Sequence, residues 1–310
     1  NAKKNAYIEI NQILVNAYWE IGKIIIEFEQ KGEIRAVYGE RLLERLSKDL
    51  KLKYGKGFSR SNLTYMRLFY LTYKSEKPSH KLSWSHYVEL LGVSDDLARS
   101  FYERQCIIES WTIRQLNRQI NSMLFERIAL SKDKKKVLEL SRKGQETERS
   151  TDIIRDPYVL EFLKIPQDSH YSERELEQKI IDNLQLFLLE LGKGFTFVAR
   201  QFKITLNNNH YYVDLVFYHR ILRCFILIDL KVGRVNHLDI GQMNMYLNYF
   251  KKEEMTKDDN EPIGIILSAD KDNLLVEYAL GGISNKLFVS RYKLYLPSKE
   301  ELEREIKKLI

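Results

Sequence analysis

Two apolar runs, Tyr211–Tyr218 and Arg223–Lys231, are separated by only the residues His219–Leu222. A join that short admits an antiparallel hairpin and little else, because a parallel crossover needs about a dozen residues. The hairpin decides what can meet. If the loop closes regularly, Asp214 lies opposite or diagonal to Asp229, within cross-strand reach. The apolar residues Cys224–Ile228 precede Asp229, as in a strand buried on both faces. Asp229 and Lys231 share one face, because side chains alternate along a strand. Two carboxylates and an ammonium therefore converge at one strand end. Close carboxylates repel unless a cation lies between them, and hard oxygen ligands suit Mg2+ or Mn2+. A plain salt bridge from Lys231 to Asp214 or Asp229 satisfies the local sequence equally well. The tripeptide alone discriminates nothing. Asp49-Leu50-Lys51, Glu29-Gln30-Lys31 and Asp133-Lys134-Lys135 repeat it on solvated surface.

The flanking segments define an α/β domain. Ser172–Leu191 has the spacing of one amphipathic helix, and its start carries Glu173, Glu175 and Glu177. Gly192 and Gly194 end it. Phe195–Leu206 alternates as a strand, and Asn207–His210 is a polar turn. His237–Phe250 reads as a helix, with Pro262–Ser268 and Leu287–Leu296 as further strands. The order is αβββαβ.

The first half is written differently. Three-and-four spacing predicts helices over Ala6–Phe28, with Gly32 as its stop, and over Tyr38–Lys53, with Leu42, Leu43, Leu46 and Leu50 inward. Ser59 or Ser61 caps a third helix through Tyr70, and others follow at His86–Leu91, Asp95–Glu109 and Thr112–Phe125. Ser131–Ser150 is rich in Lys and Arg and reads as a linker or exposed helical connector. The expected layout is residues 1–130 helical, 131–150 a charged linker, and 151–310 the α/β domain.

Charge follows the same division. The net charge of +7 resolves into +9 for residues 1–150 and −2 for the remainder. A basic helical half suits a polyanion. In GFSRSNLTYMRLFY, Arg60 and Arg67 lie on a short helix after a turn at Tyr54–Gly57, which admits a helix–turn–helix on DNA or a small bundle with solvated charges. The long first helix equally suits a homo-oligomer seam. With 44% hydrophobic residues the chain is not globally disordered, and two distant cysteines make no disulfide scaffold or Cys-rich zinc module. There is no Walker-type loop, no leader-like start in NAKKNAYIEI and no apolar run near the roughly 20 residues of a membrane span, so a cytoplasmic setting is expected.

An Asp, then Asp/Glu-x-Lys after a hydrophobic strand, with an upstream helix Glu, resembles the PD-(D/E)xK nuclease superfamily. YSERELEQKIIDNLQLFLLELGKGFTFVARQ, YYVDLVFYHRILRCFILIDLKVG and DIGQMNMYL resemble, more narrowly, the YhcG-type bacterial PDDEXK nuclease-domain proteins. NAYWEIGKII, GFSRSNLTYMRLFY, LSWSHYVELL and RDPYVLEFL extend the resemblance over nearly the whole chain. It implies a restriction-endonuclease-like domain with Asp214, Asp229, the Leu230 carbonyl and Glu177 as metal ligands, Glu173 being the rival to Glu177. Lys231 would orient the attacking water or stabilise charge. Gln242 and Tyr246 resemble a Q-x-x-x-Y element, catalytic and nucleic-acid-facing respectively, although Tyr246 is also read as core. His237 is a further residue within one short loop of Lys231.

The sequence departs from the pattern twice. Val213 stands before Asp214 instead of Pro, and Asp229 replaces the usual Glu, one methylene shorter. The resemblance implies a Mg2+- or Mn2+-dependent DNA endonuclease in a restriction-like or mobile-element setting. Asp229 keeps open an inactive nuclease fold serving DNA binding or assembly, and an RNA target stays open.

Overall fold

The computed structural model describes residues 2–31, 36–74, 78–79, 81–129, 134–145, 147, 149–166, 169–296 and 298. Gly32 and residues 131–133 lie outside them, as does the Leu42 side chain. The chain divides into two compact units, Asn1–Ile120 and Asn121–Ile310. Among the described residues no helix is long and apolar enough to cross a membrane.

The first unit is helical: α1 (Ala2–Lys31), α2 (Ala36–Tyr54), α3 (Arg60–Thr72), α4 (Trp84–Leu91), α5 (Asp96–Glu109) and α6 (Ile113–Asn121). Ser59 is the cap of α3, accepting the Asn62 N–H, and Asp95 caps α5 through the Ala98 N–H. Those bonds satisfy donors that a helix start leaves free. Ile25, Leu43, Leu63 and Met66 form the core where α1 and α2 meet α3. Gly22 permits the approach, since a Cβ there would lie 2.0 Å from the Met66 carbonyl oxygen.

The second unit begins earlier than the charge pattern suggests. α7 (Leu124–Ala129) and α8 (Lys134–Lys143) precede a short strand, β1 (Tyr158–Val159). Then follow α9 (Glu173–Asp182), α10 (Leu184–Leu191), β2 (Phe195–Leu206), β3 (Asn209–His219), β4 (Cys224–Arg234), α11 (His237–Tyr249), β5 (Ile263–Asp270), α12 (Asn273–Leu280) and β6 (Lys286–Lys293). The mixed sheet runs β1-β6-β5-β4-β3-β2. The β2–β3 and β3–β4 pairs are antiparallel, whereas the β4–β5, β5–β6 and β6–β1 pairs are parallel. One core places Leu176, Ile180 and Phe187 of α9 and α10 against Phe217, Ile226, Ile228 and Leu230. The other places Ile240, Met243 and Leu247 of α11 against Val216, Leu227 and Ile266. Both sheet faces are thus covered, which explains the near-continuous apolar run of β4. Gly264 lets α11 settle on β5, since a Cβ there would lie 2.8 Å from Met243.

The αβββαβ order stands, with differences of detail. The expected helix Ser172–Leu191 is two helices broken at Asn183, which leaves the helical region at φ −119° and bonds its side chain to the Lys179 carbonyl. Asn competes with the helix in this way because its amide offers the backbone a local partner. Thr112–Phe125 is likewise divided between α6 and α7, with Met123 at φ 51° between them. The units meet at Ile120–Asn121 rather than beyond residue 130, because Arg127 of α7 is buried against Glu190 of α10. The β3–β4 turn also falls one residue later, as His219 pairs with Cys224.

Candidate active site

The hairpin register builds the site. Leu215 opposite Ile228 is the last bridged pair of β3 and β4, so the next step along each strand brings Asp214 and Asp229 face to face. There the ladder opens, and Asp214 Oδ2 accepts the Leu230 N–H at 2.8 Å. β2 extends the row. Asn207 and Asn208, with φ of 45° and 66°, form a two-residue turn that pairs Leu206 with Asn209. Arg200 then pairs with Leu215 and Phe202 with Val213, which puts Gln201 opposite Asp214. Gln201, Asp214 and Asp229 occupy one line across three strands.

Helices bring the remaining groups. Ser172 caps α9 through a reciprocal box with Glu175. Leu176 and Ile180 anchor that helix in the core, and Glu177 between them is 3% exposed. Glu177 Oε2 accepts Gln201 Nε2 at 2.6 Å, and Arg200 Nε lies 2.9 Å from Glu177 Oε1. The same Gln201 amide donates to Asp214 Oδ1 at 3.0 Å. Lys231 Nζ lies 3.1 Å from Asp229 Oδ2 and 3.7 Å from both Glu173 Oε2 and Asp239 Oδ1. Asp239 is itself fixed by the capping box that opens α11, where it accepts the Asn236 N–H at 2.9 Å.

Crowded negative charge governs the electrostatics. Burial pushes the Asp229 carboxyl up to about 7, and the neighbouring Asp214 charge adds to the rise against the opposing Lys231. Burial also raises Asp214, against hydrogen bonds from Leu230 and Gln201. Burial alone would lower the Lys231 ammonium, but Asp229, Glu173 and Asp239 outweigh it and leave it raised.

These residues fit a divalent cation. Asp229 is 3% exposed, and its Oδ2 meets no donor in hydrogen-bonding geometry although Lys231 approaches it. The Asp214 charge raises the Asp229 carboxyl, so the pair leaves negative charge for a cation to offset. All the available donors are hard oxygens, as Mg2+ or Mn2+ requires. Among the described residues, no three His, Cys, Asp or Glu side chains gather into a larger cage.

The sequence-predicted residues sort as follows. Asp214, Asp229, the Leu230 backbone and Lys231 come together. The Gln201 amide joins Glu177 to Asp214, and Glu173 borders Lys231 from the solvent side. Gln242 donates to the Tyr246 hydroxyl, which donates to the Tyr212 carbonyl at 3.0 Å. Tyr246 is fully buried. This corrects its reading as a nucleic-acid contact: its ring packs with Met243 and Leu247 and presents no surface. His237 is exposed at the start of α11, and no hydrogen bond or ion pair joins it to the carboxylates among the described residues. In the first unit, Arg67 grips Glu29 with Nε at 3.1 and 2.8 Å from the two oxygens, and Arg60 lies 3.2 Å from Glu44.

Sequence reasoning missed Gln201, Arg200 and Asp239. A signal for Gln201 existed: the Asn207-Asn208 turn, counted backwards as for the second hairpin, sets it opposite Asp214. Its φ of 46° and the Arg200–Glu177 contact had no such signal.

Residues 151–307 match the YhcG PDDEXK nuclease domain family, and residues 1–127 match the DUF1016 N-terminal domain. The chain is 41% identical to the Escherichia coli (strain K12) protein YhcG, which carries nuclease as a provisional name, over 99% of this chain and 90% of that one. Solved structures share less. A repair endonuclease from Pyrococcus abyssi is 19% identical over 43% of this chain and 50% of its own, with TM-score 0.29. An EndoMS–dsDNA complex is 15% identical over 44% and 51%, with TM-score 0.28. The chain thus spans about half the length of these two.

Proposed function

We propose that this chain, which belongs to the YhcG PDDEXK nuclease family, hydrolyses DNA phosphodiester bonds with a divalent cation held by Asp214, Asp229 and the Leu230 carbonyl. One observation carries the reading: Asp214 and Asp229 face each other one step beyond the Leu215–Ile228 pair, with Lys231 3.1 Å from Asp229. When bound, Mg2+ or Mn2+ supplies Lewis-acid polarisation of the phosphate and of the attacking water. Lys231 adds positive charge where negative charge grows in the transition state. Its raised pKa keeps it protonated through neutral pH. Glu173 and Asp239 hold that ammonium at the strand end. Glu177 acts on Asp214 through Gln201, and Gln242 extends the polar wall from α11.

In the same reading the basic first unit grips the DNA backbone, with Arg60 and Arg67 on a helix–turn–helix-like pair. The protein works in the cytoplasm in a restriction-like or mobile-element setting, and the long α1 supports self-association. Purified protein is offered supercoiled, single-stranded and branched DNA with Mg2+ or Mn2+. Wild type is expected to cut, and Asp214→Ala, Asp229→Ala and Lys231→Ala to lose activity by about 100-fold or more while remaining folded. A wild type that cuts none of these substrates overturns the reading. The rival is a nuclease fold without catalysis, favoured by the closure of Lys231 onto Asp229 as an ion pair.

A further inference from the structure

We propose that Gln201 is a positioning residue that limits the site to one divalent cation, because its amide fills the flank of Asp214 where a second cation would sit. The inference rests on the cation-dependent reading above. Gln201, Asp214 and Asp229 form a row across the sheet. Asp214 is the middle member, with Asp229 on one side and Gln201 on the other. Three carboxylates border this row: Asp229, Asp214 and Glu177. Two acidic gaps follow, one between Asp229 and Asp214 and one between Asp214 and Glu177.

The gaps are treated differently. Gln201 closes the second. An amide nitrogen has two hydrogens, and Nε2 contacts one carboxylate with each, Glu177 Oε2 at 2.6 Å and Asp214 Oδ1 at 3.0 Å. Its orientation follows from its surroundings, because a carbonyl oxygen turned toward two carboxylates would be repelled by both. Gln201 reaches this position with a φ of 46°, in the left-handed region that favours glycine. Arg200 Nε, 2.9 Å from Glu177 Oε1, supplies a full positive charge on the far side of the same carboxylate. Glu177 is thereby held between an amide and a guanidinium. A divalent ion competing for that gap would have to displace a bridging amide from an acid already paired with Arg200.

The first gap carries no such bridge. Asp229 is 3% exposed; Lys231 Nζ lies 3.1 Å from its Oδ2 as an ion-pair contact, and among the described residues no side chain bridges it to Asp214. Asp214 keeps lone pairs beyond those that serve Leu230 and Gln201, since a carboxylate offers about four acceptor positions. One cation between Asp214 and Asp229 uses the unspent oxygens and leaves the Gln201 bridge intact.

Binding stoichiometry tests this without any assay of cleavage. The full chain, freed of metal, is titrated with Mn2+ by calorimetry and by the paramagnetic signal of unbound ion. Wild type is expected to take one Mn2+. Gln201→Glu puts a third carboxylate into the second gap and is expected to take two. Gln201→Ala opens the gap without adding charge and serves if the Glu variant does not fold; a second, weaker Mn2+ is expected there. Thermal midpoints establish that each variant is folded. Two ions on wild type, or one ion on wild type and on each folded variant, overturns the role of Gln201 while the nuclease reading stands. No Mn2+ on any form overturns both.

Discussion

Arg127 Nη1 lies 2.6 Å from Glu190 Oε1, with both side chains essentially excluded from solvent. Arg127 also donates to the Ser122 and Pro157 carbonyls, and Glu190 Oε1 accepts the Val159 N–H. The pair fastens α7 to α10, so the unit carrying the candidate active site extends upstream of residue 151, where its family match begins. Removing Arg127 takes away the nearer of two buried guanidiniums at Glu190, with Arg155 Nη1 remaining 3.9 Å from its Oε2. Arg127→Ala is expected to destabilise this unit by about 3–5 kcal/mol, measured by urea unfolding. Residues 121–310 should be expressed as a folded fragment and residues 151–310 should not. A loss under about 1 kcal/mol would mean that the pair is structurally idle.

Asp229 makes stability depend on pH in a defined direction. Its folded pKa of about 7 lies above the unfolded value of about 3.9. The fold therefore favours the protonated acid. That contribution is full below about pH 4 and is lost as pH climbs through about 7. In EDTA the thermal midpoint of wild type, compared with that of Asp229→Asn, should fall between pH 5 and pH 8. Mn2+ should recover the loss at the upper end, because it replaces the proton. A difference between the two proteins that does not change with pH would refute the assignment.

Gly22 sets the spacing of α1 and α3. A Cβ there meets the Met66 backbone at 2.0 Å, a clash that backbone cannot relieve by changing rotamer. Gly22→Val should lower the stability of the first unit by about 1–3 kcal/mol or more. Cation binding by the second unit should be unchanged. Calorimetric unfolding of the full chain, with and without Mn2+, reads both effects.

Arg67 is held by Glu29, so its use on DNA requires release from that pair. If both proposed arginines meet phosphates, Arg60→Ala should reduce the salt slope of DNA binding by about 0.9. Glu29→Ala should strengthen binding by freeing Arg67. Binding measured across a salt series checks both, and a Glu29→Ala protein that binds no better would leave Arg67 a structural residue alone.

The sequence by itself determined the elements and the meeting of the two aspartates. Periods of two and of three to four residues are local properties, and the short joins at Asn207-Asn208 and before Cys224 leave a strand only one register. Caps at Ser59, Asp95, Ser172 and Asn236 are equally local, each a side chain bonding two or three residues ahead. Tertiary structure decided everything that depends on distant partners. It broke the expected long helix at Asn183, buried Tyr246 on the inner face of α11, and turned Gln201 between Glu177 and Asp214. It also joined Arg127 to Glu190 across 63 positions. No pattern within a turn or a strand encodes such a contact, because it forms only when separate apolar faces have packed and the charges left between them must find one another.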